Sequence, residues 1–154
     1  MRNLWAPWRM EYILSEKPEG CIFCEAYRRP DHLVVHRTER ALVMMNRYPY
    51  TNGHLLVAPR RHVAGLEDLS AEEARELFEC LRRSVEALRR AFGPHGFNIG
   101  ANLGRVAGAG VVDHLHVHVV PRWLGDTNFM PILAEVQVIP EHLARTSERL
   151  RALF

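Results

Sequence analysis

From Asp113 onward the chain reads Asp113-His114-Leu115-His116-Val117-His118-Val119-Val120-Pro121, with histidine and aliphatic residues alternating through Val119. A period of two belongs to a β-strand, because successive side chains of extended backbone point to opposite faces. Leu115, Val117 and Val119 are therefore expected to enter a core, while His114, His116 and His118 share the other face. Three imidazoles on one surface fit a reactive row, a metal-only site, or a solvated strand face whose polar positions happen to be histidine. Histidine is uncommon, so three alternating copies disfavour the last.

The segments around this strand predict the rest of a fold. Residues 33–37, 41–46, 54–58 and 97–102 read as short strands, separated by the polar Thr38-Glu39-Arg40 turn and by Tyr48-Pro49-Tyr50-Thr51-Asn52-Gly53. Ser70 with Glu73 forms a capping box, after which Ala74, Leu77, Phe78, Leu81, Val85, Leu88 and Phe92 keep one apolar face up to the Gly93-Pro94 stop. Cys80 falls inside this helix and is expected to be buried and inert. Residues 140–154, with Leu143, Leu150 and Leu153, read as a shorter closing helix. The expected class is α+β: a five-stranded antiparallel sheet with one long and one shorter helix, the long one covering a face.

A chain of 154 residues that is 47% hydrophobic can bury one proper core, so a single domain over 1–154 is expected, with 1–20 an N-terminal extension and 131–154 a C-terminal tail. The net charge of +2 comes from interspersed acidic and basic residues, with no basic block for a nucleic-acid arm. Lys17 is the only lysine, and no phosphate-loop motif accompanies it. No organic cofactor is expected. Three cysteines are too few for a secreted disulfide framework, no run of apolar residues is long enough to span a membrane, and the Trp-rich N-terminus lacks the features of a signal peptide. These readings point to a cytoplasmic protein with no membrane partner.

The chemistry follows from what imidazole can do. A neutral histidine is a good nucleophile near pH 7 and leaves again as a neutral group, which suits phosphoryl or nucleotidyl exchange. Neighbouring imidazoles can hydrogen-bond phosphate oxygens and the leaving group. Just upstream, Gly104-Arg105-Val106-Ala107-Gly108-Ala109-Gly110 is rich in glycines whose exposed N–H groups can cradle phosphate, although such a loop alone is an ordinary turn. Cys21-Ile22-Phe23-Cys24 is a C-x2-C pair that can grip a tetrahedral metal, with His62 and His114 as possible completing ligands. A redox pair or bare thiols is the alternative.

His114 to Val120 matches the His-φ-His-φ-His-φ-φ signature, and the chain resembles the histidine triad (HIT) family. The stretches Ala41-Leu42-Val43-Met44-Met45-Asn46-Arg47-Tyr48-Pro49, Gly53-His54-Leu55-Leu56-Val57-Ala58-Pro59 and Pro121-Arg122-Trp123 resemble the fragile histidine triad branch. Leu4-Trp5-Ala6-Pro7-Trp8-Arg9 and Gly108-Ala109-Gly110 are more similar to bacterial diadenosine tetraphosphate phosphorylases. The resemblance implies a homodimer of HIT-like fold in which His116 is the nucleophile and His118 bonds phosphate oxygens or the departing group. It also implies that Asn46 contacts the ribose, and that Asn102 with Gly108, Gly110 and the rest of the glycine loop holds the α-phosphate. Galactose-1-phosphate uridylyltransferases, which are related, use the four positions matching Cys21, Cys24, His62 and His114 for zinc, so a structural zinc is expected. His54 is similar to a histidine near the same pocket, and a structural role for it is equally compatible.

One departure bears on the reaction. Relatives that hydrolyse dinucleotides carry Gln and then Ser or Thr shortly before the triad, where this chain has Gly110-Val111. The expected activity is therefore cleavage of a dinucleoside polyphosphate, an adenine dinucleotide, by phosphorolysis to ADP and ATP, with Arg105 gripping the incoming phosphate. Hydrolysis of dinucleotides or nucleoside phosphoramidates, and nucleotide binding with little turnover, are the alternatives. A DNA-end processing role as in aprataxin-like relatives ranks lowest, because no DNA-binding extension is visible.

Overall fold

A computed structural model describes residues 20–126 and 139–154. The expected N-terminal extension, apart from Gly20, and the first part of the C-terminal tail lie outside the described residues. Within them are three helices and five strands: α1 (Ile22–Arg28), β1 (Val34–Arg37), β2 (Ala41–Met45), β3 (Leu55–Pro59), α2 (Ala71–Phe92), β4 (Gly96–Gly100), β5 (Val117–Arg122) and α3 (Leu143–Arg151). The strands form one antiparallel sheet in the order β1-β2-β3-β5-β4, as the α+β reading requires. Strands β2 and β3 are buried at every position, which explains why Ala-Leu-Val-Met-Met and Leu-Leu-Val-Ala-Pro are apolar without alternation.

Helix α2 covers one face of the sheet through Leu77, Cys80, Ser84, Ala87 and Leu88. Its capping box forms in full, with Ser70 Oγ accepting from the Glu73 N–H and the Glu73 carboxylate accepting from the Ser70 N–H. Such a cap stabilises a helix by about 1 kcal/mol. Gly93 ends α2 in a left-handed conformation at φ 55°, which glycine adopts without the Cβ penalty. Cys80 is buried as expected, and burial pushes its thiol pKa up. Phe78 departs from the expected apolar face and is 72% exposed. The stripe that meets the sheet centres on Leu77, Cys80, Ser84 and Leu88, and Phe78 falls on its flank. Ser84 takes a core position because its hydroxyl is satisfied by the Cys80 carbonyl one turn back, at 2.7 Å.

Helix α1 is an addition to the two expected helices. It buries Phe23 and Ala26, and Cys21 serves as its N-cap without a side-chain cap bond, its thiol being turned elsewhere. Helix α3 closes the β1 edge, where Arg151 donates to the carbonyls of Val34 at 2.6 Å and Asp31 at 3.0 Å. Among the described residues, no helix is long and apolar enough to cross a membrane.

The histidine strand starts later than its alternation suggests. Strand β5 begins at Val117, so His114 and His116 precede it. Ahead of Val117 the segment makes other bonds: the Pro59 carbonyl at the end of β3 takes the His114 Nε2–H at 2.7 Å. The Leu115 N–H turns to Val63 O at 2.7 Å. The three imidazoles therefore do not form one flat row.

Candidate active site

Each histidine of the row is fixed by a partner on one ring nitrogen, and that partner decides what the other nitrogen can do. His114 gives its Nε2–H to a carbonyl, so its Nδ1 carries the lone pair. That nitrogen faces Cys21 Sγ at 3.1 Å, Cys24 Sγ at 3.6 Å and His62 Nδ1 at 3.2 Å, and His62 Nδ1 lies 3.4 Å from Cys24 Sγ. The ligand atoms of all four residues lie within 4.8 Å of one another, a group that could hold a metal ion. Tetrahedral zinc with ordinary bond lengths would hold sulfur and nitrogen ligands about 3.6 Å apart and two nitrogens about 3.3 Å apart, close to these separations. The Pro59 carbonyl supplies the outer hydrogen bond that metal-bound histidines characteristically make. Burial, and then the neighbouring Cys21, raise the pKa of the Cys24 thiol. A cation is what would bring such a thiol to thiolate.

His116 has the opposite arrangement. Its Nδ1 lies 2.9 Å from the His114 carbonyl, so the proton sits on Nδ1 and the lone pair is on Nε2. Burial lowers its pKa, which keeps the ring neutral near pH 7. Phe23 of α1 packs against both His114 and His116, with ring centroids 5.1 and 5.0 Å away. His118 follows with its ring centroid 5.1 Å from that of His116.

His54 joins this end of the site. The Tyr50 N–H donates to His54 Nδ1 at 3.0 Å, so the His54 proton is on Nε2, which donates to His118 Nδ1 at 2.9 Å. The proton of His118 must then be on Nε2. Burial, and next the charge of His118, lower the His54 pKa to about 3; burial, and next the charge of His116, lower that of His118 to about 4. Both rings are thus neutral over the ordinary pH range. His118 therefore carries an N–H where the neighbouring His116 ring carries a lone pair, the two ring centroids lying 5.1 Å apart.

The remaining expected residues are distributed unevenly. Asn46 accepts from the Tyr48 N–H at 2.9 Å and turns its amino group toward the His54 ring, at 3.4 Å from Nδ1. The Asn102 amide braces the glycine loop by donating to the Gly108 carbonyl at 3.3 Å, so part of its hydrogen-bonding capacity is already used. Gly104 and Gly108 take positive φ of 82° and 89°, which explains glycine at those positions; Gly110 is not among the positive-φ glycines. Arg105 is exposed and has no ion pair among the described residues. His118, Tyr50 and Asn102 open onto a cleft of about 980 Å³ that the glycine loop does not line. The reading of the sequence missed Tyr50, whose ring lies nearly parallel to His118 at 5.9 Å, and the Pro59 carbonyl. No local signal marks either: Tyr50 acts through its ring and its backbone N–H from the loop between β2 and β3, and Pro59 through its carbonyl at the end of β3.

A family model for the HIT domain matches residues 28–123. The chain belongs to the HIT family. An AP-4-A phosphorylase of Mycobacterium tuberculosis is 40% identical over 163 residues, covering 99% of this chain and 83% of that protein. A bis(5'-nucleosyl)-tetraphosphatase (asymmetrical) of Schizosaccharomyces pombe is 31% identical over 121 residues, covering 79% of this chain and 63% of its own length. Among solved structures, a Zn-bound histidine triad family protein of Mycobacterium smegmatis superposes with a TM-score of 0.69 at 28% identity, covering 86% of this chain and 91% of the other.

Proposed function

We propose that this HIT protein transfers a nucleotidyl group from a dinucleoside polyphosphate, with diadenosine tetraphosphate the reference substrate, through a covalent intermediate on His116. The observation that carries this reading is the Nδ1–H of His116 held by the His114 carbonyl, which leaves Nε2 unprotonated beside the N–H of His118. In the first step the His116 Nε2 lone pair forms a bond to the α-phosphorus, and the bridging P–O bond breaks. The departing phosphate oxygen carries the electron pair away and is met by the His118 Nε2–H. Neutral His118 offers a hydrogen bond; an adjacent polyphosphate favours the charged ring and brings proton donation within reach. In the second step an acceptor oxygen attacks phosphorus, the P–N bond breaks, and His116 returns to its neutral form. Asn46 is assigned to the ribose, and Asn102, Gly108 and Gly110 to the α-phosphate.

Inorganic phosphate is the proposed acceptor. Gly110-Val111 offers no polar side chain to position water, whereas exposed Arg105, which has no ion pair among the described residues, can bind a second phosphate bidentately. The similarity to an AP-4-A phosphorylase supports this, and the tetraphosphatase relative keeps hydrolysis as the competing outcome. Zinc is the proposed occupant of the Cys21, Cys24, His62 and His114 group, whose four side chains would hold it and leave it to contribute folding energy when bound. We further read residues 1–154 as one HIT domain acting as a cytoplasmic homodimer.

Product analysis tests the reaction. With saturating phosphate, diadenosine tetraphosphate should give ADP and ATP, and Arg105→Ala should raise the phosphate KM several-fold more than the dinucleotide KM. AMP and ATP alone, with no stimulation by phosphate, would establish hydrolysis and release Arg105 from this role.

A further inference from the structure

The cleft of about 980 Å³ has no assigned occupant, and its position relative to the two histidines is asymmetric: His118 lines it and His116 does not. In the register of β4 and β5, Gly100 lies opposite His118, Asn98 opposite Val120 and Gly96 opposite Arg122. Opposed residues of an antiparallel pair project from the same face, so the cleft rests on the face that carries His118, Val120 and Arg122. Any side chain at position 100 would stand directly beside His118. Gly100 has no positive φ to require glycine, and a Cβ built on it meets no atom within 4 Å. The missing side chain is therefore not a backbone necessity; it leaves open the space next to His118.

The polar groups of the cleft fit a nucleoside better than a second polyphosphate. Arg122 donates to both carboxylate oxygens of Asp126, at 2.6 and 2.9 Å, and to Asn98 Oδ1 at 2.8 Å, so its charge is neutralised within the protein. Asn98 accepts from Arg122 through oxygen and keeps its amino hydrogens for a ligand. Apolar Val120 and Ile99 share the wall, and the volume is at the upper end of the roughly 300–1,000 Å³ usual for small-molecule sites.

We propose that this cleft receives the departing nucleoside polyphosphate, the half of the substrate not transferred to His116, with its phosphate at His118 and its nucleoside along Asn98, and that Gly100 keeps the cleft open. The assignment rests on His116 as the nucleophile, because only then does the group meeting His118 belong to the departing half. It makes the protein selective for substrates with a large leaving group.

The test compares two substrates that share the transferred nucleotide: diadenosine tetraphosphate, and adenosine 5'-phosphoramidate, whose departing group is ammonia. Gly100→Ile places a strand-favouring side chain in the cleft and should shift the ratio of kcat/KM values against the dinucleotide by at least about tenfold. Gly100→Ala should shift it the same way by less, and thermal melting reports whether each variant keeps wild-type stability. Equal losses on both substrates in a stably folded variant would mean that the cleft serves the transferred nucleotide, and an unchanged ratio with unchanged rates would mean that no substrate enters it; either result overturns the assignment. A wild-type protein inactive on both substrates would instead overturn the nucleotidyl-transfer reading, and this assignment with it.

Discussion

The two ends of the histidine segment are built from the same side chain and come out chemically opposite. At the Pro59 end, His114 gives its Nε2–H to a carbonyl and turns a lone pair toward two cysteines and His62. At the other end, His118 accepts from His54 and turns a proton outward, while His116 between them keeps its proton on Nδ1 and its lone pair on Nε2. What differs is the hydrogen bond on the far nitrogen. An imidazole in this protein turns outward a lone pair or an N–H according to which backbone or ring atom holds its other side, and the proposed roles of metal ligand, nucleophile and donor follow from that.

Breaking the middle of the segment should have the largest effect. His116→Ala should lower turnover by at least about 10⁴-fold, about 5.5 kcal/mol of barrier, while nucleotide affinity in an equilibrium binding measurement changes by no more than about threefold. Wild-type turnover in that variant would remove His116 from the nucleophile role. The metal end should respond in stability instead of chemistry. Chelation, or Cys24→Ser, should cost several kcal/mol of folding and lower Tm by roughly 10 °C, because a metal on the four candidate ligands would tie α1 to the end of β3. Metal analysis showing no bound ion in a protein of unchanged Tm would contradict this.

A smaller effect should separate the roles within the other end. His54→Ala removes the donor that fixes His118 and leaves its proton free to sit on either nitrogen. Turnover should drop by about 10- to 100-fold for a poor leaving group and much less for a good one, with His118→Ala as the upper bound. Equal losses across leaving groups would make His54 merely a packing residue. The smallest effect is on acid stability. The folded pKa values of His54 and His118, about 3 and about 4, lie below the 6.5 of the unfolded chain, so the unfolded state binds more protons between these values. Their contribution to stability is complete above pH 6.5 and is lost as pH falls toward 4 and then 3. Urea midpoints measured down this range should fall less steeply for a folded His54→Gln variant than for the wild type.

Much of this arrangement was legible in the sequence where its cause is local. Helix α2 begins and ends as its capping box and Gly93 dictate, and the five strands appear as short apolar runs bounded by turn residues. The strand boundaries moved where distant partners decide them: β5 starts at Val117, and the Leu115 N–H ahead of it goes to Val63 O. Helix α1 escaped because Cys21-Ile22-Phe23-Cys24 is too short to show a helical period and its N-cap position is a cysteine without a cap bond. The four candidate metal ligands were readable as residue types, and the fold brings them together as expected. The pairing of His54 with His118 spans 64 residues and follows from strand register, which no local pattern encodes.

The most direct test of the nucleophile is to catch the nucleotidyl group on the protein. Wild-type enzyme mixed with diadenosine tetraphosphate in the absence of added phosphate, and quenched in alkali within milliseconds, should carry one adenylyl adduct mapped by peptide mass spectrometry to His116. The adduct should be acid-labile, as a phosphoramidate is, and absent from His116→Ala. Turnover with no adduct at any time point, or an adduct on His118 or a cysteine, would contradict the account.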